Sequence, residues 1–161
     1  MIGAVSGERL FRGRVFDVVR EQGKDVVVHA PAVAIVAVDH AKRVVLVRQP
    51  RAGARRDVLE LPAGILAPGE EPLEGARREL REETGLRGGE WSLLASFFTT
   101  PGFSDELMHV HLATGLDEGE PSPDDDEQLT VERFGRDELP RLLETVEDAK
   151  TLVGLLLYLR R

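Results

Sequence analysis

No cysteine occurs anywhere in the 161 residues. That excludes disulfides, thiolate metal sites and thiol nucleophiles, so any metal here has to be held by oxygen or histidine. No stretch approaches the roughly 20 apolar residues that a membrane span requires. The first residues, MIGAVSGERL, lack a basic start followed by an apolar run, so no secretory signal is expected and the cytoplasm is the expected location. Positive charge is in deficit. The net charge of −8 argues against non-specific nucleic-acid binding, although a local basic patch would survive it. There is no internal repeat and no linker-like stretch. Four histidines are present, His29, His40, His109 and His111, and none has ligand spacing on a helix. His109 and His111 share one face of a strand and are read as structural.

What is present is ordinary for a soluble globular protein: 42% hydrophobic and 31% charged residues. The length suits one domain with a sizeable core. Arg9 to Arg20 and Asp25 to His29 are strand-like and joined at Gln22-Gly23-Lys24, which predicts a hairpin. Pro31 breaks the run. Val-rich segments follow at Ala32 to Val38 and Val44 to Val47, then strand-like stretches at Arg55 to Leu61, Trp91 to Thr99, Leu107 to Thr114 and Leu129 to Phe134. Gly119 to Gln128 is acidic and contains proline, so it reads as a loop. Asp137 is expected to cap a single C-terminal helix carrying Leu142, Leu143, Val146, Ala149, Leu152, Val153, Leu156 and Leu157 at helical spacing. Mixed strands with two helices predict an α+β or α/β/α layered domain.

The most informative stretch runs from Gly64 to Leu86, GILAPGEEPLEGARRELREETGL. It follows a strand-like run, so Gly64 suits a tight turn, and Pro68-Gly69 is a second turn signal. Pro72 fits the first turn of a helix, Glu70 and Glu71 sit where a helix N-terminus favours negative charge, and Gly85 is placed to end it. Leu73, Ala76 and Leu80 form an apolar stripe. Glu79, Glu82 and Glu83 fall within one turn, beside Arg78. Three carboxylates on one face repel one another, which makes sense beneath a hard divalent cation. The plainer reading is a solvated Glu/Arg face.

Gly64, Glu70, Arg78, Glu79, Leu80, Glu82, Glu83, Gly85 and Leu86 fill all nine specified positions of the Nudix box with the right gaps. The segment therefore resembles the Nudix hydrolases. The resemblance implies a Nudix-type α/β/α sandwich with a mixed sheet and a catalytic loop–helix–loop. It also implies Mg2+-assisted hydrolysis, with Mn2+ as an alternative ion, of a nucleoside diphosphate linked to another group. Pro101 lies 15 residues after Leu86, within Thr100-Pro101-Gly102-Phe103-Ser104-Asp105-Glu106. Alone it is a simple turn. Together with Val47-Arg48-Gln49-Pro50-Arg51 and Glu60-Leu61-Pro62-Ala63-Gly64, it resembles the ADP-ribose pyrophosphatase subfamily. Pro50 departs from that subfamily, in which tyrosine is common at this position, and removes an aromatic surface and a hydroxyl.

The resemblance implies a set of roles. Glu79 and Glu83 are the first metal ligands, helped by the backbone carbonyl of Ala63, with Glu82 on a further metal directly or through water. Arg78 orients Glu82 four residues on, and Glu70 braces loop and helix, with metal contact as its second reading. The base for the attacking water is expected from the acidic loop, at Asp125 or at Glu127. Arg51 is assigned to the diphosphate or terminal ribose, Glu60 to ribose or base hydrogen bonds, and Pro101, Gly102, Phe103, Ser104 and Glu106 to the terminal ribose side. Phe16 is either an adenine-stacking residue or an ordinary core residue. Residues 1–30 are expected to form an N-terminal β-hairpin segment and 31–161 the hydrolase domain. The hairpin implies a homodimer in which each subunit completes the other's site, against the alternative of packing within one monomer. The expected activity is Mg2+-dependent cleavage of ADP-ribose, or a related nucleoside diphosphate sugar, to AMP and ribose 5-phosphate. The alternatives are another Nudix substrate (a dinucleoside polyphosphate, a coenzyme, an oxidised nucleotide) or a non-catalytic ADP-ribose sensor.

Overall fold

The computed structural model describes residues 7–122 and 128–161. Its centre is β4 (Ala32–Asp39), AVAIVAVD, in which all eight residues are buried. A strand with only one face on the core alternates apolar and polar residues. β4 does not, because both of its faces are covered. Ala32, Ala34, Val36 and Val38 point into one cluster with Leu155 and Tyr158 of α3 (Ala149–Leu159) and Leu139 of α2 (Leu139–Leu142). Val33, Ile35 and Ala37 point into a second cluster with Ala76 and Leu80 of α1 (Pro72–Thr84). Helices thus lie on both sides of one sheet, in the three-layer α/β/α arrangement.

That sheet is mixed. β5 (Val44–Arg51) and β7 (Ala63–Ile65) run antiparallel to β4, whereas β9 (Leu107–Asp117) runs parallel to it. β10 (Thr130–Phe134) and β6 (Arg56–Glu60) flank β5, and β8 (Arg87–Phe98) lies outside β9. The short β7 pairs Gly64 with Val33 and Ala63 with Ala34. This fixes the start of the Gly64–Leu86 segment against the fully buried central strand.

The N-terminal hairpin is present as β2 (Phe16–Glu21) and β3 (Lys24–His29), and it has a third member. The stretch from Arg9 to Arg20 is not one strand. It breaks at Gly13, and its first part, β1 (Glu8–Arg12), folds back on β2. Gln22 and Gly23 both have positive φ, 51° and 77°, as a two-residue turn of the type that matches strand twist requires. The loop after β8 holds this small sheet to the main body. The Val27 N–H donates to Phe103 O at 2.7 Å, and the His29 N–H donates to Asp105 Oδ1 at 2.8 Å.

The expected single C-terminal helix is two. α2 ends after four residues, and α3 begins anew behind Asp148, whose side chain accepts the Thr151 N–H. Asp148, not Asp137, is therefore the capping residue of the long helix. The helical spacing of the leucines runs through both pieces, which hides the break between them. No described helix is long and apolar enough to cross a membrane.

Leu155 is fully buried at the contact of α3 with β4. Leu155→Ala is expected to lower stability by about 2–5 kcal/mol, through lost transfer energy plus the cavity left behind. Urea unfolding measures this directly.

Candidate active site

The α1 helix starts at Pro72 and ends where Gly85 adopts φ 75°, its N–H bonded to Arg81 O. A Cβ at Gly85 would also meet Gly119 O at 2.2 Å, so both backbone conformation and crowding require glycine there. One face of the helix presents Ala76 and Leu80 to the sheet. On the adjoining face, Glu79 and Glu83 are buried too, at 8% and 1% exposure.

Arg78 organises the carboxylates. Its Nε and Nη2 bind the two oxygens of Glu70, each at 2.9 Å. Its Nη1 reaches Glu79 Oε1 at 2.7 Å and Glu82 Oε2 at 3.1 Å, and Nη2 also donates to Ile65 O at 3.2 Å. The strongest pairing of Arg78 is therefore with Glu70 across the loop, with Glu82 a lesser partner. Glu70 also accepts the Ala67 N–H at 2.8 Å, so one carboxylate and one guanidinium tie loop to helix. The Arg78 hydrogen bonds, with that of Ala67, hold the Glu70 carboxyl down at about 2, against a usual 4.5. Arg78 is pushed up by the same contacts, Glu70 first.

Gly64 has a role other than the tight turn expected of it. A Cβ there would lie 1.9 Å from the Glu79 carboxyl carbon. The glycine is needed so that the Glu79 carboxylate can lie directly on the backbone. One residue earlier, the Ala63 N–H donates to Glu83 Oε2 at 3.3 Å. Glu79 and Glu83 are thereby brought beside the Ala63–Gly64 backbone, while Glu82, on the same turn, is held through Arg78. This oxygen-only donor set suits a hard divalent cation. Among the described residues, however, no group of three or more His, Asp or Glu side chains stands in the arrangement of a formed metal cage.

A cavity of about 380 Å³ opens beside that backbone, lined by Ala63, Gly64 and Ile65 on one side and by Arg51, Lys150, Glu106 and His29 among others on the rest. Arg51 grips Glu60 with two bonds, Nε to Oε1 at 2.7 Å and Nη2 to Oε2 at 2.8 Å. Lys150 Nζ donates to Glu60 Oε2 at 2.5 Å and to Asp148 Oδ1 at 3.0 Å. Burial alone would raise the Glu60 carboxyl, but the Arg51 hydrogen bonds and the Lys150 charge outweigh it and hold it below its usual value. Glu60 is only 2% exposed. Both its oxygens are already engaged, so in this structure it braces Arg51, where the sequence assigned it to ribose or base.

Glu106 takes the Thr99 hydroxyl at 2.6 Å, and its other oxygen lies 3.5 Å from His29 Nδ1. Ser104 Oγ accepts the Glu106 N–H at 3.2 Å, behind the cavity wall. Pro101, Gly102 and Phe103 are exposed and are not among the residues lining the cavity. Phe16 is 43% exposed and packs against Phe11, so it is not a core residue. His111 is buried and His109 bonds Ser96, consistent with structural roles. Asp125 and Glu127, with Asp124 and Asp126, lie outside the described residues.

Sequence reading missed Lys150, Asp148, Thr99 and His29. Asp148 was accessible as a cap before an apolar run. Lys150 was not, because its partner Glu60 is 90 residues away in the chain.

The profile of the NUDIX domain matches residues 28–154. An ADP-ribose pyrophosphatase of Bacillus subtilis (strain 168) is 38% identical over 164 residues, which span 94% of this chain and 89% of that protein. A methanol dehydrogenase activator of Bacillus methanolicus is 34% identical with the same coverage of both chains. Among solved structures, the crystal structure of an ADP compounds hydrolase superposes with a TM-score of 0.78 at 26% identity, covering 94% of this chain and 88% of that one.

The depressed Glu70 carboxyl sets a pH signature. A carboxyl whose folded value lies below its unfolded value stabilises the fold above the unfolded value and loses that contribution as pH falls through the folded one. The stability gap between wild type and Glu70→Gln should therefore be full near neutrality and close between pH 4.5 and about 2. Urea unfolding of both proteins across that range measures it.

Proposed function

This chain belongs to the Nudix family of hydrolases, and from that premise we propose that it cleaves the diphosphate bond of ADP-ribose, or of a related nucleoside diphosphate sugar, to AMP and a sugar phosphate. The chain is an enzyme, a Nudix pyrophosphohydrolase. The observation that carries the finer reading is the juxtaposition of Glu79 and Glu83 with the Ala63–Gly64 backbone, with Glu82 joined to Glu79 through Arg78, beside a cavity whose lining includes Arg51. The name of the Bacillus subtilis relative supports ADP-ribose. The Bacillus methanolicus relative is named for a different role, so the substrate is settled by assay and not by similarity.

Each group has a task in this reading. Glu79, Glu82 and Glu83, with the Ala63 carbonyl, would hold divalent metal, Mg2+ or Mn2+, which when bound neutralises the diphosphate, polarises a phosphorus centre and activates water. Arg78 shares its charge among three carboxylates that would otherwise repel one another. The Arg51 fork matches phosphate oxygens and is assigned to the diphosphate. Glu106, on the cavity wall, accepts from hydroxyls of the terminal ribose, supported from behind by Ser104. Asp125 or Glu127 takes the proton of the attacking water. The leaving group is a phosphate monoester, so positioning and charge carry most of the work. The homodimer remains part of the proposal. Leu10, Phe11, Val15 and Phe16 are exposed apolar residues on and beside the small N-terminal sheet, which supports burial of that sheet against a second copy.

Incubation with ADP-ribose and Mg2+, beside ADP-glucose, GDP-mannose, NADH, diadenosine polyphosphates and 8-oxo-dGTP, tests the substrate. The expected result is release of AMP and ribose 5-phosphate that is abolished by a chelator and by Glu83→Gln. Cleavage of another compound with ADP-ribose left intact would overturn the substrate; tight ADP-ribose binding with no turnover of anything would point to a sensor.

A further inference from the structure

We propose that Lys150 is a positioning residue for anion recognition, acting through Glu60 to aim the Arg51 guanidinium into the cavity. The inference rests on the reading above that places the substrate diphosphate at Arg51.

Lys150 occupies an electrostatically unfavourable place. Lys150 is the second residue of α3, and a cation at a helix N-terminus opposes the helix dipole. Its side chain is also only 13% exposed, so its ammonium has lost most of its water. Two carboxylates offset that cost: Glu60 at 2.5 Å and Asp148 at 3.0 Å. Neither contact is needed to start the helix, because Asp148 already caps α3 through its other oxygen, bonded to the Thr151 N–H at 2.9 Å and the Thr151 hydroxyl at 2.5 Å.

The charge count shows what Lys150 adds. Arg51 and Lys150 face Glu60 and Asp148, two cations against two carboxylates, so this cluster is balanced. Glu60 occupies Nε and Nη2 of Arg51, which directs the Nη1 side of the fork away from that pair. Removing the ammonium leaves two carboxylates against one guanidinium. That cluster gains a net negative charge, Arg51 is drawn further toward carboxylates, and an incoming diphosphate is repelled. A neutral side chain of similar length removes the charge and keeps the packing. An arginine keeps the charge and restores donors to Glu60.

Calorimetric titration with inorganic pyrophosphate in the presence of Mg2+ tests this without depending on which nucleoside is cleaved. The proteins compared are wild type, Lys150→Met, Lys150→Arg and the destabilised Leu155→Ala, all held well below their unfolding midpoints. Lys150→Met is expected to weaken pyrophosphate binding about tenfold, the loss typical of one charge-assisted hydrogen bond. Lys150→Arg is expected to recover most of that affinity, and Leu155→Ala to bind as wild type does. The proposal is overturned if Lys150→Met binds like wild type, if Lys150→Arg fails to rescue, if Leu155→Ala weakens binding as much as Lys150→Met does, or if wild type binds no pyrophosphate. Failure of the substrate reading shows separately, as wild type that leaves ADP-ribose intact while its pyrophosphate titrations still rank as predicted.

Discussion

The single guanidinium of Arg78 is the constraint on which the acidic site depends. Glu70 binds it from the loop, and Glu79 and Glu82 bind it from one turn of the helix. Without a shared cation, carboxylates this close would push loop and helix apart. With it, β7, which carries Ala63 and Gly64, and the loop after it are held against α1, and the missing side chain at Gly64 lets the Glu79 carboxylate settle on the backbone. A lysine has the charge but not the fork, and so does not match this set of partners.

The rest of the molecule holds that unit in place. β7 pins Ala63 and Gly64 to β4, which is buried on both faces and so has little freedom to shift. On the opposite layer, α3 reaches the same site from behind. Thr151 accepts the Leu61 N–H at 2.8 Å, and Lys150 holds Glu60 one residue earlier. The strand end that precedes Ala63 is thus tied to α3, while the loop that follows it is tied to α1. The cavity lies beside these two attachments, lined by the Ala63–Gly64 backbone as well as by Arg51 and Lys150.

Local signals in the sequence carried much of this and distant ones did not. The turn at Gln22-Gly23, the Val-rich central strands, the α1 helix with Pro72 and Gly85 at its ends, and the carboxylate cluster were all legible, because each is set by neighbours within a few residues. The reason for Gly64 was not, since its crowding comes from Glu79 on another element. Glu60 read as a ligand group because its two cationic partners are invisible locally: one lies on a neighbouring strand and the other on the last helix. The break between α2 and α3 was hidden by leucines that keep the same spacing on both sides of it, although Asp148 is a good capping residue. Phe16 is an instructive case of another kind. An aromatic residue on a strand reads as core, but it lies on a small sheet with no layer over that face among the described residues.

The central claim is that the Arg78 fork closes the loop onto the helix. The most direct test is amide hydrogen exchange across residues 63–70 in wild type and in Arg78→Lys. The account predicts that protection in this loop, including the Ala67 amide bonded to Glu70, falls sharply in the variant, while β4 and α3 exchange as before. Unchanged protection of the loop would contradict it, and would mean that β7 and the backbone alone hold the carboxylates in place.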